Sequence, residues 1–167
     1  MDHRSEALRG LIGRRDLAAA AVRNALAKLL GVTDTEVTVL AHLAQRGALT
    51  ARQLSHLVQL SSAGATTVVQ RLERAGHVVR EGHPFDRRSA LLRLTPAAVE
   101  LLSTFLAPLA EELDDAAAGL SDEEQAAIER YLERVASATE AFADRLRDQI
   151  ADESQAINAI PAPGLWA

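Results

Sequence analysis

The segment "SSAGATTVVQRLERAGHVVREGHPFDRRSALLRLTPA", Ser61–Ala97, changes its periodicity halfway along. Up to Gly76 the apolar residues Ala65, Val68, Val69 and Leu72 recur at helix spacing. Beyond Gly76 the period drops to two. "HVVRE" and "ALLRLT" are strand candidates on either side of "GHPFDRRS". That connection is longer than a tight two-residue turn, so the hairpin projects. Thr95-Pro96 then opens a helix, with proline at the first helical position, where a missing N–H does no harm.

Working outward, the flanks are helical. Leu8, Ile12, Ala19, Val22, Leu26 and Leu29 mark a first helix over 5–30, closed by Gly31. Thr33 with Glu36 forms a capping box that starts a second helix through Val37, Leu40 and Leu43. Ala48-Leu49 is long enough for a very short strand. Thr50 with Gln53 repeats the box for a third, short helix bearing Leu54, Leu57 and Val58. A break at Leu60-Ser61 precedes the fourth helix. Downstream, Val99, Leu102, Leu106, Leu109 and Leu113 form one stripe, in which Pro108 is expected to kink the helix or to hide a break. Ser121 with Glu124 caps a sixth helix along Ile128, Leu132, Val135, Thr139, Phe142 and Leu146.

The expected fold is mainly α with a small β-hairpin wing (α+β): a winged helix-turn-helix of six helices. Residues 33–95 form its DNA-binding lobe. Residues 1–32 and 96–150 form a helical dimerisation lobe, and 151–167 a tail. The tail holds the only tryptophan, Trp166, a candidate plug for a groove on its own or a second subunit.

Composition narrows the function. Aromatics are 3% of the chain, so a core must come from aliphatic residues, which suits helices packed on helices. No cysteine is present, which excludes thiol-based oxidant sensing and thiolate metal sites. No apolar run approaches the ~18 residues of a membrane span, and the N-terminus lacks a signal peptide's apolar segment; a cytoplasmic protein is expected. The net charge of −5 conceals a polarity. Residues 46–95 carry 8 basic side chains, all arginine, and 3 acidic ones. Residues 96–167 carry 4 basic and 15 acidic ones. Local potential, not net charge, steers a polyanion, so the middle of the chain is where one would bind.

The fourth helix meets the chemical needs of a helix lying in a major groove. Opposite its apolar face it offers Ser62, Ala63, Thr66, Thr67 and Gln70. Threonine can give a methyl to thymine, and glutamine can pair with adenine through two hydrogen bonds. Ser61 as N-cap would leave the positive helix end near a phosphate. Thr50, Arg52, Arg71 and Arg74 are further candidates for phosphate contact.

The quoted segment resembles the multiple-antibiotic-resistance regulator (MarR) family of bacterial winged-helix repressors. Leu72-Glu73, Gly76, Arg80, the wing signature Asp86-x-Arg88 and the closing Leu94-Thr95 carry the resemblance. The order of six helices around one hairpin extends it over roughly residues 5–148. It implies a homodimer that binds pseudo-palindromic double-stranded DNA, with its first, fifth and sixth helices paired across a two-fold axis. It also implies that Arg88 enters the minor groove, oriented by a salt bridge from Asp86. Arg87 is then left for a phosphate or for solvent. Leu8, Ile12, Leu113, Ile128, Leu132, Val135, Phe142 and Leu146 become the dimer seam.

Related proteins often bind anionic aromatic or phenolic compounds between the two lobes. Arg14, Arg15 and His42, near Phe105, are the groups to consider for such an effector. No cofactor is expected. No phosphate loop, metalloprotease motif or nucleophile elbow marks an enzyme. The five histidines show no i,i+3 or i,i+4 pair on one helix, so no metal site is assigned, although a zinc-responsive regulator is one alternative. The other is a winged-helix module whose basic face meets an acidic protein.

Overall fold

The computed structural model describes residues 3–86 and 89–158. Among them, six helices and three short strands follow in the order α1 (His3–Leu30), α2 (Asp34–Arg46), β1 (Leu49–Thr50), α3 (Ala51–Leu57), α4 (Ser62–Arg74), β2 (Val78–Gly82), β3 (Ala90–Leu94), α5 (Pro96–Ala117) and α6 (Asp122–Asn158). The chain divides into two compact units, residues 1–108 and 109–167.

In the first unit, local chemistry sets the helix boundaries. The Thr33 N–H donates to Glu36 Oε2 at 2.7 Å, while the Glu36 N–H donates to Thr33 Oγ1 at 3.3 Å. Thr50 and Gln53 repeat this exchange at 2.8 and 3.2 Å. Each pair satisfies amide donors that the first turn leaves orphaned. At the other end of α4, Gly76 adopts the left-handed conformation, φ 76°. The His77 and Gly76 N–H groups there donate to the carbonyls of Leu72 (2.9 Å) and Glu73 (3.0 Å). The turn between α3 and α4 uses no glycine. Gln59 takes the left-handed conformation, φ 55°, and the Leu60 N–H reaches back to the Ser55 carbonyl at 2.9 Å. An L-residue there costs roughly 1–2 kcal/mol of strain.

The hairpin of β2 and β3 gains a third strand. β1 pairs antiparallel with β3, Leu49 opposite Leu92, so the order is β1-β3-β2. On the other side Val78 faces Leu94 and Arg80 faces Leu92. The inward residues of this sheet and of α2, α3 and α4 share one aliphatic core. Leu40, Leu54, Val69, Leu72 and Leu92 are all at most 1% exposed. Val68 packs at its edge. Burial of this kind contributes on the order of 25 cal/mol per Å² of apolar surface, and it fixes the rotational setting of α4.

α5 is not broken at Pro108. Proline removes the N–H that would bond to the Thr104 carbonyl, while the Thr104 hydroxyl donates to Glu100 O at 2.9 Å. In the second unit, Ser121 and Glu124 complete a third capping box, with the Ser121 N–H donating to Glu124 Oε2 at 2.9 Å. These hydrogen bonds, first from the Ser121 backbone and then from its hydroxyl, hold the Glu124 carboxyl below its ordinary pKa. Gln125 Nε2 closes the corner by donating to the carbonyls of Leu120 (3.2 Å) and Ala117 (3.4 Å). α6 continues to Asn158, into the segment set apart above as a tail; Trp166 lies outside the described residues. No helix among the described residues is long and apolar enough to cross a membrane.

Candidate nucleic-acid interface

α4 carries two chemically distinct faces. Ala65, Val69 and Leu72 are buried, whereas Ser62, Ala63, Thr66, Thr67, Gln70, Arg71 and Arg74 are exposed. Ser61 caps the helix by accepting the Gly64 N–H at 3.1 Å, and its own side chain is exposed. The two threonines are more constrained than their identity implies. Thr66 Oγ1 donates to the Ser62 carbonyl at 2.8 Å and Thr67 Oγ1 to the Ala63 carbonyl at 3.0 Å. Each hydroxyl is turned back on its own helix. The methyl remains as the outward group, and the oxygen keeps only its capacity to accept.

Arg71 has a protein partner. Its Nε lies 3.0 Å from Glu36 Oε1, and the Glu36 side chain is 2% exposed. The N–H is off line, so this is an ion pair and not an aligned hydrogen bond; Oε1 is a buried oxygen with no hydrogen-bond donor among the described residues. One carboxylate therefore caps α2 through Oε2 and faces α4 through Oε1. Only the first role is legible in sequence, because nothing local links Glu36 to a residue 35 positions on. Glu36→Gln preserves an acceptor for the Thr33 N–H but removes the charge facing Arg71. Because Arg71 is half exposed, that loss is screened, and the expected cost in urea denaturation is under about 1 kcal/mol. Glu36→Ala also deprives the cap of its acceptor and leaves a void, for about 2–3 kcal/mol. Equal costs for the two variants would show that the capping oxygen contributes nothing.

Thr50 is occupied as the cap of α3, and Arg52 and Arg74 are exposed. The wing is tied to α4 by Arg80, whose Nε donates to Glu73 Oε1 at 2.8 Å. Arg93 pairs across the strands with Glu81 at 2.8 Å. Thr95 joins three elements. Its hydroxyl donates to the Gly76 carbonyl (2.7 Å) and accepts the Ala98 N–H (3.1 Å), while its own N–H donates to His77 O (3.0 Å). At the tip, Asp86 is exposed and its carbonyl accepts the Ser89 N–H at 3.1 Å. Arg87 and Arg88, and hence the expected Asp86–Arg88 salt bridge, lie outside the described residues.

The candidate effector groups are less organised. Arg15 pairs with its neighbour Asp16 at 3.1 Å, Arg14 is exposed and Phe105 is 41% exposed. No hydrogen bond or ion pair links these groups to one another or to His42. Burial, and then the charge of Arg46, push the His42 pKa down. At neutral pH it is an uncharged imidazole, able to hydrogen-bond but not to neutralise an anion. No cluster of three His, Asp or Glu side chains suited to a metal occurs among the described residues.

Most of the expected seam residues are exposed. On α1, Leu8 is exposed and Ile12 half-buried; on α5, Leu113 is exposed. On α6, Ile128, Leu132, Phe142 and Leu146 are exposed, joined by Ile150, with Val135 half-buried among them.

Comparison with known proteins agrees with this geometry. A family model described as the MarR family matches residues 30–89. Among solved structures, a MepR mutant from a multidrug resistant S. aureus clinical isolate shares the fold, with a TM-score of 0.62 at 20% identity over 83% of this chain and 99% of that one. NadR, solved in complex with 4-hydroxyphenylacetate, is 26% identical with a TM-score of 0.57, covering 76% of this chain and 89% of that one. YcgE, an uncharacterized HTH-type transcriptional regulator of Bacillus subtilis, is 31% identical over 123 residues, 74% of this chain and 80% of that protein. With that level of identity across four fifths of YcgE, and a family match centred on the helix-turn-helix, the chain belongs to the MarR family of DNA-binding transcriptional regulators.

Proposed function

We propose that the protein is a homodimeric repressor of a pseudo-palindromic operator. The observation that carries this reading is the outward face of α4. Ser62, Ala63, Thr66, Thr67 and Gln70 stand exposed on a helix whose opposite face is locked in an aliphatic core. In the dimer, two such helices enter successive major grooves about one helical turn apart. Ala63 and the outward methyls of Thr66 and Thr67 favour thymine there, and Gln70 adenine. Arg52 and Arg74 take phosphates, and Arg88 the minor groove, where a flat guanidinium meets enhanced negative potential. Residues 33–95 are the DNA-binding lobe. The flanking helices supply the dimer seam, because their exposed apolar rows are the surfaces a second copy covers.

A small phenolic anion releases the DNA in this reading. Support comes from the 4-hydroxyphenylacetate complex of NadR. On this chain Arg14 and Arg15 supply the positive charge, and His42 a neutral hydrogen-bonding group beside Phe105.

The test is duplex binding against salt. Duplexes selected by the purified protein from a randomised pool are bound at a series of salt concentrations. Affinity is expected to fall log-linearly, with a slope set by the phosphates neutralised, and the selected duplex is expected to outcompete bulk DNA. Adding 4-hydroxyphenylacetate to the same assay examines release. Failure to select any duplex would count against the whole reading and favour an acidic protein as partner.

A further inference from the structure

The wing tip displays an aromatic ring. Phe85 is 93% exposed, further out than any other large apolar side chain among the described residues. The chain has only three phenylalanines, one tyrosine and one tryptophan. The ring stands on an organised turn. The Phe85 N–H donates to His83 Nδ1 at 3.3 Å, and the His83 ring meets the Phe85 ring edge-on, centroids 6.4 Å apart and planes inclined by 70°. The His83 N–H donates to Ser89 O at 3.4 Å and the Ser89 N–H to Asp86 O at 3.1 Å. The Arg80–Glu73 pair fixes the base of the same hairpin to α4.

We propose that Phe85 packs against the deoxyribose wall of the minor groove beside each half-site. This rests on the reading of the protein as a DNA-binding dimer. If α4 occupies a major groove, the hairpin fastened to its end flanks it, with its tip toward the neighbouring minor groove. The walls of that groove are sugar rings, which offer apolar C–H surface to a neutral ring. Proteins that bind the minor groove commonly bring Phe, Leu or Ile into it, as wedges between base steps, which shows that the groove admits an apolar side chain.

The test uses the full chain and the duplex that the wild-type protein selects from a randomised pool. Phe85→Ala is expected to weaken binding on the order of 10-fold. Its salt slope should equal that of wild type, because a neutral side chain displaces no counterions. Phe85→Leu, still apolar, should recover most of the affinity. Hydroxyl-radical footprinting, which attacks deoxyribose from the minor groove, should show a protected sugar flanking each half-site for wild type and Phe85→Leu, lost in Phe85→Ala. Unchanged affinity or an unchanged footprint in Phe85→Ala overturns the assignment. So does a flattened salt slope, because the effect would then act through the wing's charges. In each of these cases the selected duplex stands, so the DNA-binding reading survives. If wild type selects no duplex, that underlying reading fails first.

Discussion

Leu132→Asp is expected to yield a folded chain that no longer dimerises. Leu132 is 54% exposed in the single chain, so its replacement removes little from the chain's own packing. It lies in the row Ile128, Leu132, Val135, Phe142, Leu146 and Ile150 along one side of α6. If a second copy covers that row, two symmetry-related carboxylates are driven into an apolar seam with no cation to meet them. Burial without a partner costs several kcal/mol per ion, and the two-fold axis doubles the damage. Light scattering should report a monomer where wild type gives a dimer. Operator affinity should fall by about 100-fold or more, because the two half-sites are no longer linked. Circular dichroism should be nearly unchanged. A well-folded dimer from Leu132→Asp would mean that the seam runs along another face.

Arg88→Ala is expected to have the second-largest effect. One specific guanidinium contact is worth on the order of 1–3 kcal/mol, and a dimer loses it twice. Titration of the selected duplex should show a loss of at least about 100-fold in affinity, and a salt slope reduced by about one per wing if the guanidinium also neutralises a phosphate. Melting temperature should hold, because among the described residues none of 83–86 belongs to the core of α2, α3, α4 and the sheet. Binding as tight as wild type would remove Arg88 from the interface and leave the wing to Phe85.

The parts of this fold that were legible in sequence are those whose chemistry is local. Thr33 with Glu36, Thr50 with Gln53 and Ser121 with Glu124 each mark a helix start, and each forms its capping box. The alternation of Ala65, Val69 and Leu72 with Ser62, Thr66 and Gln70 predicts which side of α4 is buried, because the helical period allows only one face inward. What stayed hidden depends on contacts distant in sequence or on backbone geometry without a residue signature. Nothing about glutamine announces the left-handed turn at Gln59. The very short strand expected at Ala48-Leu49 is present at Leu49–Thr50, but its pairing with β3 depends on residues more than forty positions away. The pairing of Glu36 with Arg71 requires the packing of α2 on α4 to be known first. It also changes what the site offers, since one edge of the Arg71 guanidinium already faces a carboxylate. The aromatic at Phe85 was plain in the sequence, but its isolation in solvent was not.

Thr95 has a kinematic consequence. Its hydroxyl is at once a donor to the end of α4 and the cap of α5, and its amide is bound to His77. A threonine clamped on three sides cannot serve as a swivel. Through this one residue the first turn of α5 is bonded to the Gly76–His77 corner, which is itself bonded to the Leu72 and Glu73 carbonyls of α4. The junction is therefore a brace: the end of α4 and the start of α5 are held to each other by backbone-directed bonds and not by side-chain packing alone.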